Sequence, residues 1–166
     1  MKIAITKGRS ADFLVIVRDD GSRVETSFPH KGPLPHDAVH FFVERALGLK
    51  RAFWGMIAAG AHPEELVEIA KAAGHASASR ARVPDADIVE LIQAERLVEC
   101  FEAELWSNGN DDAGLLAMAE AGCATSHVAL PNIVPSALGE ARSTLRAFAA
   151  DWIAAPQGQI ARLEWG

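Results

Sequence analysis

The first thirty residues alternate between apolar and polar side chains, the pattern of strands that bury one face. Residues 2–6 alternate in this way, and residues 13–17 form a dense apolar run. An Asp-Gly pair at positions 20–21 then predicts a tight hairpin, because both central residues of such a turn favour φ > 0. Residues 23–28 alternate again. The pattern predicts a three-stranded antiparallel meander.

From about residue 34 the apolar positions recur every three to four residues, as on an α-helix. Prolines and acidic residues at the start of a segment, and glycines just after its end, mark the helix boundaries. The predicted helices span residues 34–47, 50–59, 62–74, 84–107, a shorter segment from about 112 to 121, and 136–155. Residues 76–82, rich in Ser, Ala and Arg, have no periodicity and are predicted to form a loop.

A last alternation of apolar and polar positions, at residues 160–165, predicts one more strand. A lone strand leaves its backbone N–H and C=O groups unpaired, so we expect it to join an edge of the N-terminal meander. Sheet and helices are segregated along the chain. The predicted fold class is therefore α+β: one domain over residues 1–166, with a small antiparallel sheet packed against about six helices.

Charge and composition narrow the classes of function. The 166 residues include 16 Lys and Arg against 22 Asp and Glu, a net charge of −6. This balance argues against nucleic acid as a partner, because phosphate binding needs a basic face. No apolar run is long enough to span a membrane, and the N-terminal segment lacks the apolar region of a signal peptide. We therefore expect a cytoplasmic protein.

Two cysteines, Cys100 and Cys123, are too few and too far apart for a disulfide framework or a thiolate zinc site. Both are expected to be buried as small apolar side chains. Cys123 and His127 lie four residues apart, which is the spacing of a thiolate–imidazole pair on a helix. Since the sequence shows no third group to orient them, we favour a structural role for both.

The strongest candidate site lies at the start of the first predicted helix. His36, His40 and Glu44 are four residues apart and form one axial column, since each step drifts only about 40° around the helix. Two imidazoles and a carboxylate are ligands that zinc, iron and manganese accept. Asp37 is then the candidate catalytic base. Trp54 is a candidate wall of the pocket, although we favour packing in the core for this large side chain. The cofactor this implies is a divalent metal such as zinc.

The His-Asp-x-x-His segment is similar to the zincin signature, in which two helical histidines bind zinc and an intervening Glu is the general base. The resemblance covers five residues. Asp37 stands where that family has Glu, and Pro35 places the motif in the first helical turn. A purely structural interpretation is also open: Asp37 caps the helix, His40 packs at the edge of the core and Glu44 is solvated. The sequence favours this structural interpretation.

The long fourth helix carries two patterns. Glu95, Glu99 and Glu102 form a column of carboxylates, and such a row facing histidines would resemble the metal site of a helical bundle. We favour a solvated acidic stripe beside Arg96. An apolar seam on the same helix predicts packing against another helix. The seam consists of Leu91, Ala94, Val98, Phe101 and Leu105.

Three short motifs together resemble a group of small uncharacterised bacterial proteins, for which the resemblance implies no activity. They are Leu-Pro-His-Asp-x-x-His-Phe-x-Val-Glu at residues 34–44, Phe-Trp-Gly at 53–55 and Leu-Glu-Trp at 163–165. Two functional hypotheses follow from the sequence. The favoured one is a non-enzymatic binding or assembly protein, with a homodimer formed through the apolar seam. The other is a metal-dependent hydrolase that uses His36, His40 and Glu44.

Overall fold

The computed structural model describes residues 1–73 and 81–166, so most of the loop predicted at 76–82 lies outside the described residues. Along the chain the elements are β1 (Lys2–Thr6), β2 (Ala11–Val17), β3 (Arg23–Pro29), α1 (His36–Leu47), α2 (Phe53–Ala58), α3 (Pro63–Ala72), α4 (Val89–Ser107), α5 (Asp112–Thr125), α6 (Pro135–Ala154) and β4 (Ile160–Glu164). This arrangement confirms the predicted α+β class. None of the described helices is both long and apolar enough to cross a bilayer.

The four strands form one antiparallel sheet in the order β3-β2-β1-β4. Strand β4 pairs with β1 from Lys2↔Glu164 to Thr6↔Ile160, which confirms that the C-terminal strand joins an edge of the meander. The β2–β3 turn differs in detail from the prediction. Strand β2 ends at Val17 and β3 begins at Arg23, so the connection is longer than a two-residue hairpin. Of its residues only Gly21 has positive φ, at 84°.

One face of the sheet is buried under the helices. Its inward residues alternate along each strand, as the period of two requires. They are Ile3, Ile5, Leu14, Ile16 and Val24. Complete burial of one such side chain stabilises the fold by about 1.5–3 kcal/mol. This face holds β2 and the end of β3 close to the first helix.

Helix α1 occupies the centre of the helical layer and packs against both α4 and α6. The apolar seam of α4 faces inward, and Leu91, Val98 and Phe101 are almost inaccessible to solvent. The chain therefore covers the seam with its own helices. The seam thus packs against helices as expected, and a homodimer through it remains a prediction.

Several helix boundaries differ from the predictions, most of all at α4. The segment after Pro84 forms a single turn, closed by a 3.1 Å bond from Ile88 N–H to the carbonyl of Asp85. The helix itself begins at Val89, five residues later than predicted. A proline followed by an aspartate starts a turn as readily as a helix, so the sequence signal was ambiguous. Helix α5 continues to Thr125 and so includes Cys123.

Candidate metal centre

The first two turns of α1 place two imidazoles side by side. Pro35 precedes the helix in an extended conformation, so the helix begins at His36. His36 and His40, one turn apart, lie edge to face with ring centroids 4.8 Å apart. His40 is only 1% exposed, whereas His36 is half-buried. The i, i+4 spacing thus brings both rings to one place, as the sequence predicted.

The third group comes from the neighbouring helix. Glu95 on α4 is 7% exposed, and its Oε2 lies 3.6 Å from Nε2 of His36 and 3.6 Å from Nε2 of His40. The potential ligand atoms of these three residues all lie within 4.8 Å of one another. A separation of 3.6 Å is too long for a good hydrogen bond. It is close to the spacing of two atoms that bind the same metal ion.

The remaining ring nitrogens face two other carboxylates. Nδ1 of His40 lies 2.8 Å from Oε1 of Glu44, and Nδ1 of His36 lies 3.2 Å from Oε1 of Glu102. When Nδ1 carries the proton and donates it to a carboxylate, the Nε2 lone pair is free to bind a metal. Both rings therefore have the arrangement in which a carboxylate orients a ligating histidine.

Glu44 was predicted as a metal ligand, and the structure places it differently. Its side chain is fully buried, and its two oxygens accept hydrogen bonds from His40 Nδ1 and, at 2.9 Å, from the backbone N–H of Trp54. Helix α1 ends at Gly48 in the left-handed conformation, φ 70°, which lets the chain turn back and bring α2 to Glu44. Glu44 contacts the Nδ1 atom of His40, and Glu95 rather than Glu44 completes the group of three residues that could hold a metal ion.

Electrostatics make the cluster hold protons when no cation is bound. Burial disfavours the charged imidazolium of His40, but Glu95 and the bond to Glu44 outweigh burial and raise its pKa to about 10. Burial also opposes the charge on His36, and Glu102 and Glu95 again raise the pKa. Burial raises the pKa of Glu44. A divalent cation would replace these protons as the positive charge among the carboxylates.

The cluster opens onto a cavity of about 450 Å³. His36, His40 and Glu95 line the cavity, together with Phe53 and residues from the end of β3. A cavity of this size accepts a small organic molecule. The candidate ligands therefore lie in the wall of a space that a substrate can enter.

Asp37, the predicted catalytic base, also lines the cavity. It is half-buried, and this burial raises the pKa of its carboxyl group. Trp54 is fully buried in the core, the role favoured for it over a pocket wall, and Phe53 lines the cavity. The Trp54 indole N–H donates a 2.9 Å bond to the Asp37 carbonyl. Trp54 thus fixes the backbone of the first helical turn.

A second imidazole–carboxylate pair lines the same cavity and was missed from the sequence. Asp12 on β2 accepts a 3.0 Å bond from Gly8 N–H and lies 2.9 Å from Nε2 of His30. The sequence did contain a signal for this pair. Asp12 lies two residues before Leu14 and four before Ile16, so the alternation of the strand points its carboxylate toward the buried face, where an unpaired charge is costly.

The predicted row of carboxylates on α4 divides into two environments. Glu95 is buried beside both histidines, and Glu102 is half-buried beside His36. Glu99 is exposed and forms a 2.7 Å ion pair with Arg96. Glu99 therefore fits the predicted solvated stripe. Glu95 and Glu102 fit the alternative, a row of carboxylates that faces histidines.

The Cys123–His127 pair does not form a reactive site. Cys123 is fully buried, and burial raises the pKa of its thiol to about 11. His127 is exposed and has left-handed backbone geometry just after α5. Because the thiol stays neutral at physiological pH, it lacks the thiolate that nucleophilic chemistry needs.

The chain was compared with models of known protein families, with curated proteins and with solved structures, and nothing matched in any of the three.

Proposed function

We propose that this protein binds a divalent metal ion, with zinc preferred, and uses it for hydrolysis of a small molecule in the cavity. The ligands are Nε2 of His36, Nε2 of His40 and the carboxylate of Glu95. One observation carries the proposal: both Nε2 atoms lie 3.6 Å from the same carboxylate oxygen. Two imidazoles and one carboxylate are the ligand set of several hydrolytic zinc enzymes.

The chemistry of the ligand set supports zinc. Two imidazole nitrogens and one carboxylate suit zinc, whereas magnesium and calcium prefer oxygen ligands. The potential ligand atoms lie within 4.8 Å of one another, so modest side-chain adjustments would bring all three around one ion.

The position of the cluster supports a catalytic rather than a purely structural ion. Structural zinc sites are closed by four protein ligands, whereas catalytic sites keep one position for water or substrate. Here three ligands line a cavity. A bound zinc ion supplies a water molecule whose pKa is lowered to about 7. Asp37 lies in the same wall, and its raised pKa suits a group that accepts and returns protons.

Hydrolysis is preferred over the assembly role that the sequence favoured. That role rested on the lack of a strong catalytic motif and on the apolar seam of α4, which is covered inside the chain. The convergence of α1 and α4 supplies the catalytic arrangement that no contiguous motif contains.

The test is the metal content of protein purified without a histidine tag, measured by elemental analysis. We expect about one zinc ion per chain in the wild type and none in His40→Ala. The Asp37→Asn variant should keep its metal and lose hydrolysis of a panel of p-nitrophenyl esters and phosphates. A wild type without bound metal after incubation with zinc would reject the proposal. A zinc-loaded protein that hydrolyses no member of the panel would reject the hydrolytic part alone.

A further inference from the structure

The face of the sheet opposite the helices carries an apolar centre. Phe13 is 56% exposed and Ile160 39% exposed, while Val15 and Val17 are half-buried. These side chains share the parity of Ala4 and point away from the buried face. The exposed fractions of Phe13 and Ile160 show that at least part of this face is open to solvent. The apolar centre is therefore a surface on which another protein can pack.

The register of the sheet sets charged residues on both sides of this centre. Paired residues on neighbouring strands point to the same face, so they form rows across the sheet. The middle row consists of Glu25, Val15, Ala4 and Arg162, and the row beside it consists of Arg23, Val17, Lys2 and Glu164. In each row, the residues on the two edge strands carry opposite charges. All four of these edge residues are exposed.

We propose that a second copy of this chain packs on the open face, with a two-fold axis parallel to the strands. That rotation lays β3 of one copy over β4 of the other and keeps each row opposite itself. Glu25 then meets Arg162 of the second copy, and Arg23 meets Glu164 of the second copy. The two-fold axis repeats both pairs, which gives four ion pairs around the apolar centre.

The side chains of the inner strands also complement each other in size. The same rotation places Phe13 opposite Thr6 of the second copy and Val15 opposite Ala4 of the second copy. In these two pairs a large residue meets a small one, which lets two sheets interdigitate. In the next row Val17 meets Lys2 of the second copy, whose aliphatic stem can pack on it while its ammonium group reaches solvent. A two-fold axis perpendicular to the strands and along the middle row is disfavoured, because it would set Glu25 against Glu25 and Arg162 against Arg162. A perpendicular axis midway between the two rows would instead set Glu25 against Arg23 of the second copy, and the charge exchanges below distinguish that dimer, because they would leave its charge pairs intact.

The size of the face predicts a weak dimer. Four strands about 4.8 Å apart, with five to seven residues at about 3.3 Å each, give a face of roughly 20 Å by 20 Å. Two such faces bury about 800 Å² in total, which is below the standard range for specific interfaces, so we expect a dissociation constant in the micromolar range or weaker. The proposal uses a surface separate from the metal centre and does not depend on metal binding.

The test exchanges the charges of one edge at a time. One double variant combines Arg23→Glu with Glu25→Arg, and the other combines Arg162→Glu with Glu164→Arg. Each keeps the net charge of the chain and retains an oppositely charged couple on its own strand. In a self-dimer of either variant like charges meet, so we expect the dissociation constant to rise at least about tenfold. Sedimentation velocity over a concentration series measures it.

Mixing the two double variants gives the decisive result. In the mixed pair every edge charge again meets its opposite, so association should return to about the wild-type strength. Phe13→Ser, a change at an exposed position, should weaken the wild-type dimer without unfolding the chain, as circular dichroism can verify. A wild type that stays monomeric at about 1 mM would overturn the proposal. So would double variants that associate as well as the wild type, or a mixture that does not associate.

Discussion

Helix α4 carries a cluster of buried charge near each end, and the two clusters are built differently. At its C-terminal end, Glu104 accepts two hydrogen bonds from Arg142, at 2.9 and 3.0 Å, and Arg142 also bonds Asp112 at 2.8 Å. Toward its N-terminal end, Glu95 faces His36 and His40 across gaps of 3.6 Å. The contacts of Arg142 are short, whereas the separations between Glu95 and the two imidazoles are longer; we call the first the closed cluster and the second the open cluster.

The difference separates a structural ion pair from a ligand site. A guanidinium is always charged and matches a carboxylate in two places, so the Arg142–Glu104 pair is complete as it stands. An imidazolium can give up its proton to an incoming cation and then bind the metal through Nε2. Buried carboxylates alone therefore do not identify a site. A structural ion pair has short contacts to a partner that is always charged. A candidate ligand site has longer contacts to partners that can lose their protons.

The largest expected effect is a loss of stability at the closed cluster of Arg142 and Glu104. Replacing Arg142 by Met leaves Glu104 buried without its cation, so the free energy of unfolding should fall by about 3–5 kcal/mol. Urea denaturation measures this loss. Replacing both residues, Arg142→Met with Glu104→Met, should recover much of it, since no buried charge then remains. A loss below about 1 kcal/mol in the single variant would show that the pair is not a structural element. Zinc affinity should stay unchanged in both variants.

At the open cluster around Glu95 we expect a large loss of zinc affinity rather than a large loss of stability. Glu95→Gln keeps the shape of the side chain but removes the ligand charge, so zinc affinity should fall by more than about a hundredfold. Competition with a chelator of known affinity measures the change. Glu99→Gln is the matched control, because Glu99 lies one turn away on α4 and is exposed. If both variants lose affinity equally, Glu95 has no specific role.

A smaller effect is expected at the residues that orient the histidines. Glu44→Gln should lower zinc affinity by about 10–100-fold, the usual cost of losing a carboxylate that holds a ligating imidazole. Glu102→Gln should cost less, because its contact with His36 is longer, 3.2 Å against 2.8 Å. The predicted order of losses is therefore Glu95, Glu44, Glu102. If Glu44→Gln costs as much as Glu95→Gln, Glu44 would be a ligand after all.

Zinc binding should also depend on pH, because zinc must displace protons from His36 and His40, whose pKa values are raised. Each displaced proton lets the affinity rise about tenfold per pH unit. Calorimetric titrations between about pH 6 and 8 should show this slope. An affinity that does not change with pH in that range would mean that the imidazoles are not the ligands.

The metal-free protein should show the reverse dependence in its stability. The folded-state pKa of His40, about 10, lies above the ordinary histidine value of 6.5. The stabilisation from its proton is therefore complete below pH 6.5 and is lost as the pH rises toward 10. Urea denaturation of wild type and His40→Gln in a chelator measures it. The wild type should lose stability through this range more steeply than the variant, and parallel curves would contradict the assigned pKa.

Much of the fold could be predicted because its signals are local. The alternation along the strands and the unpaired strand at residues 160–165 led to the observed sheet. The start of α4 was predicted too early, since Pro84-Asp85 favours turns and helix starts alike. The seam of α4 was correctly expected to pack on a helix. Its partner proved to be in the same chain, and a sequence pattern alone does not tell the two cases apart.

The site could be predicted only as far as one helix determines it. The i, i+4 spacing brings His36 and His40 together and places Glu44 next to His40. The carboxylate that lies near both Nε2 atoms is that of Glu95, not Glu44. This depends on how α4 packs on α1, which no local spacing in the sequence encodes. Glu95 was noted in the acidic row, but its burial is a tertiary property.

The most direct test is the location of a zinc ion by anomalous X-ray diffraction from crystals grown or soaked with zinc. We predict one strong peak per chain, from a zinc ion bonded to Nε2 of His36, Nε2 of His40 and a carboxylate oxygen of Glu95 at about 2.0–2.1 Å. Glu44 should keep its bond to His40. A map with no peak between α1 and α4, or with zinc only at other side chains, would contradict the account.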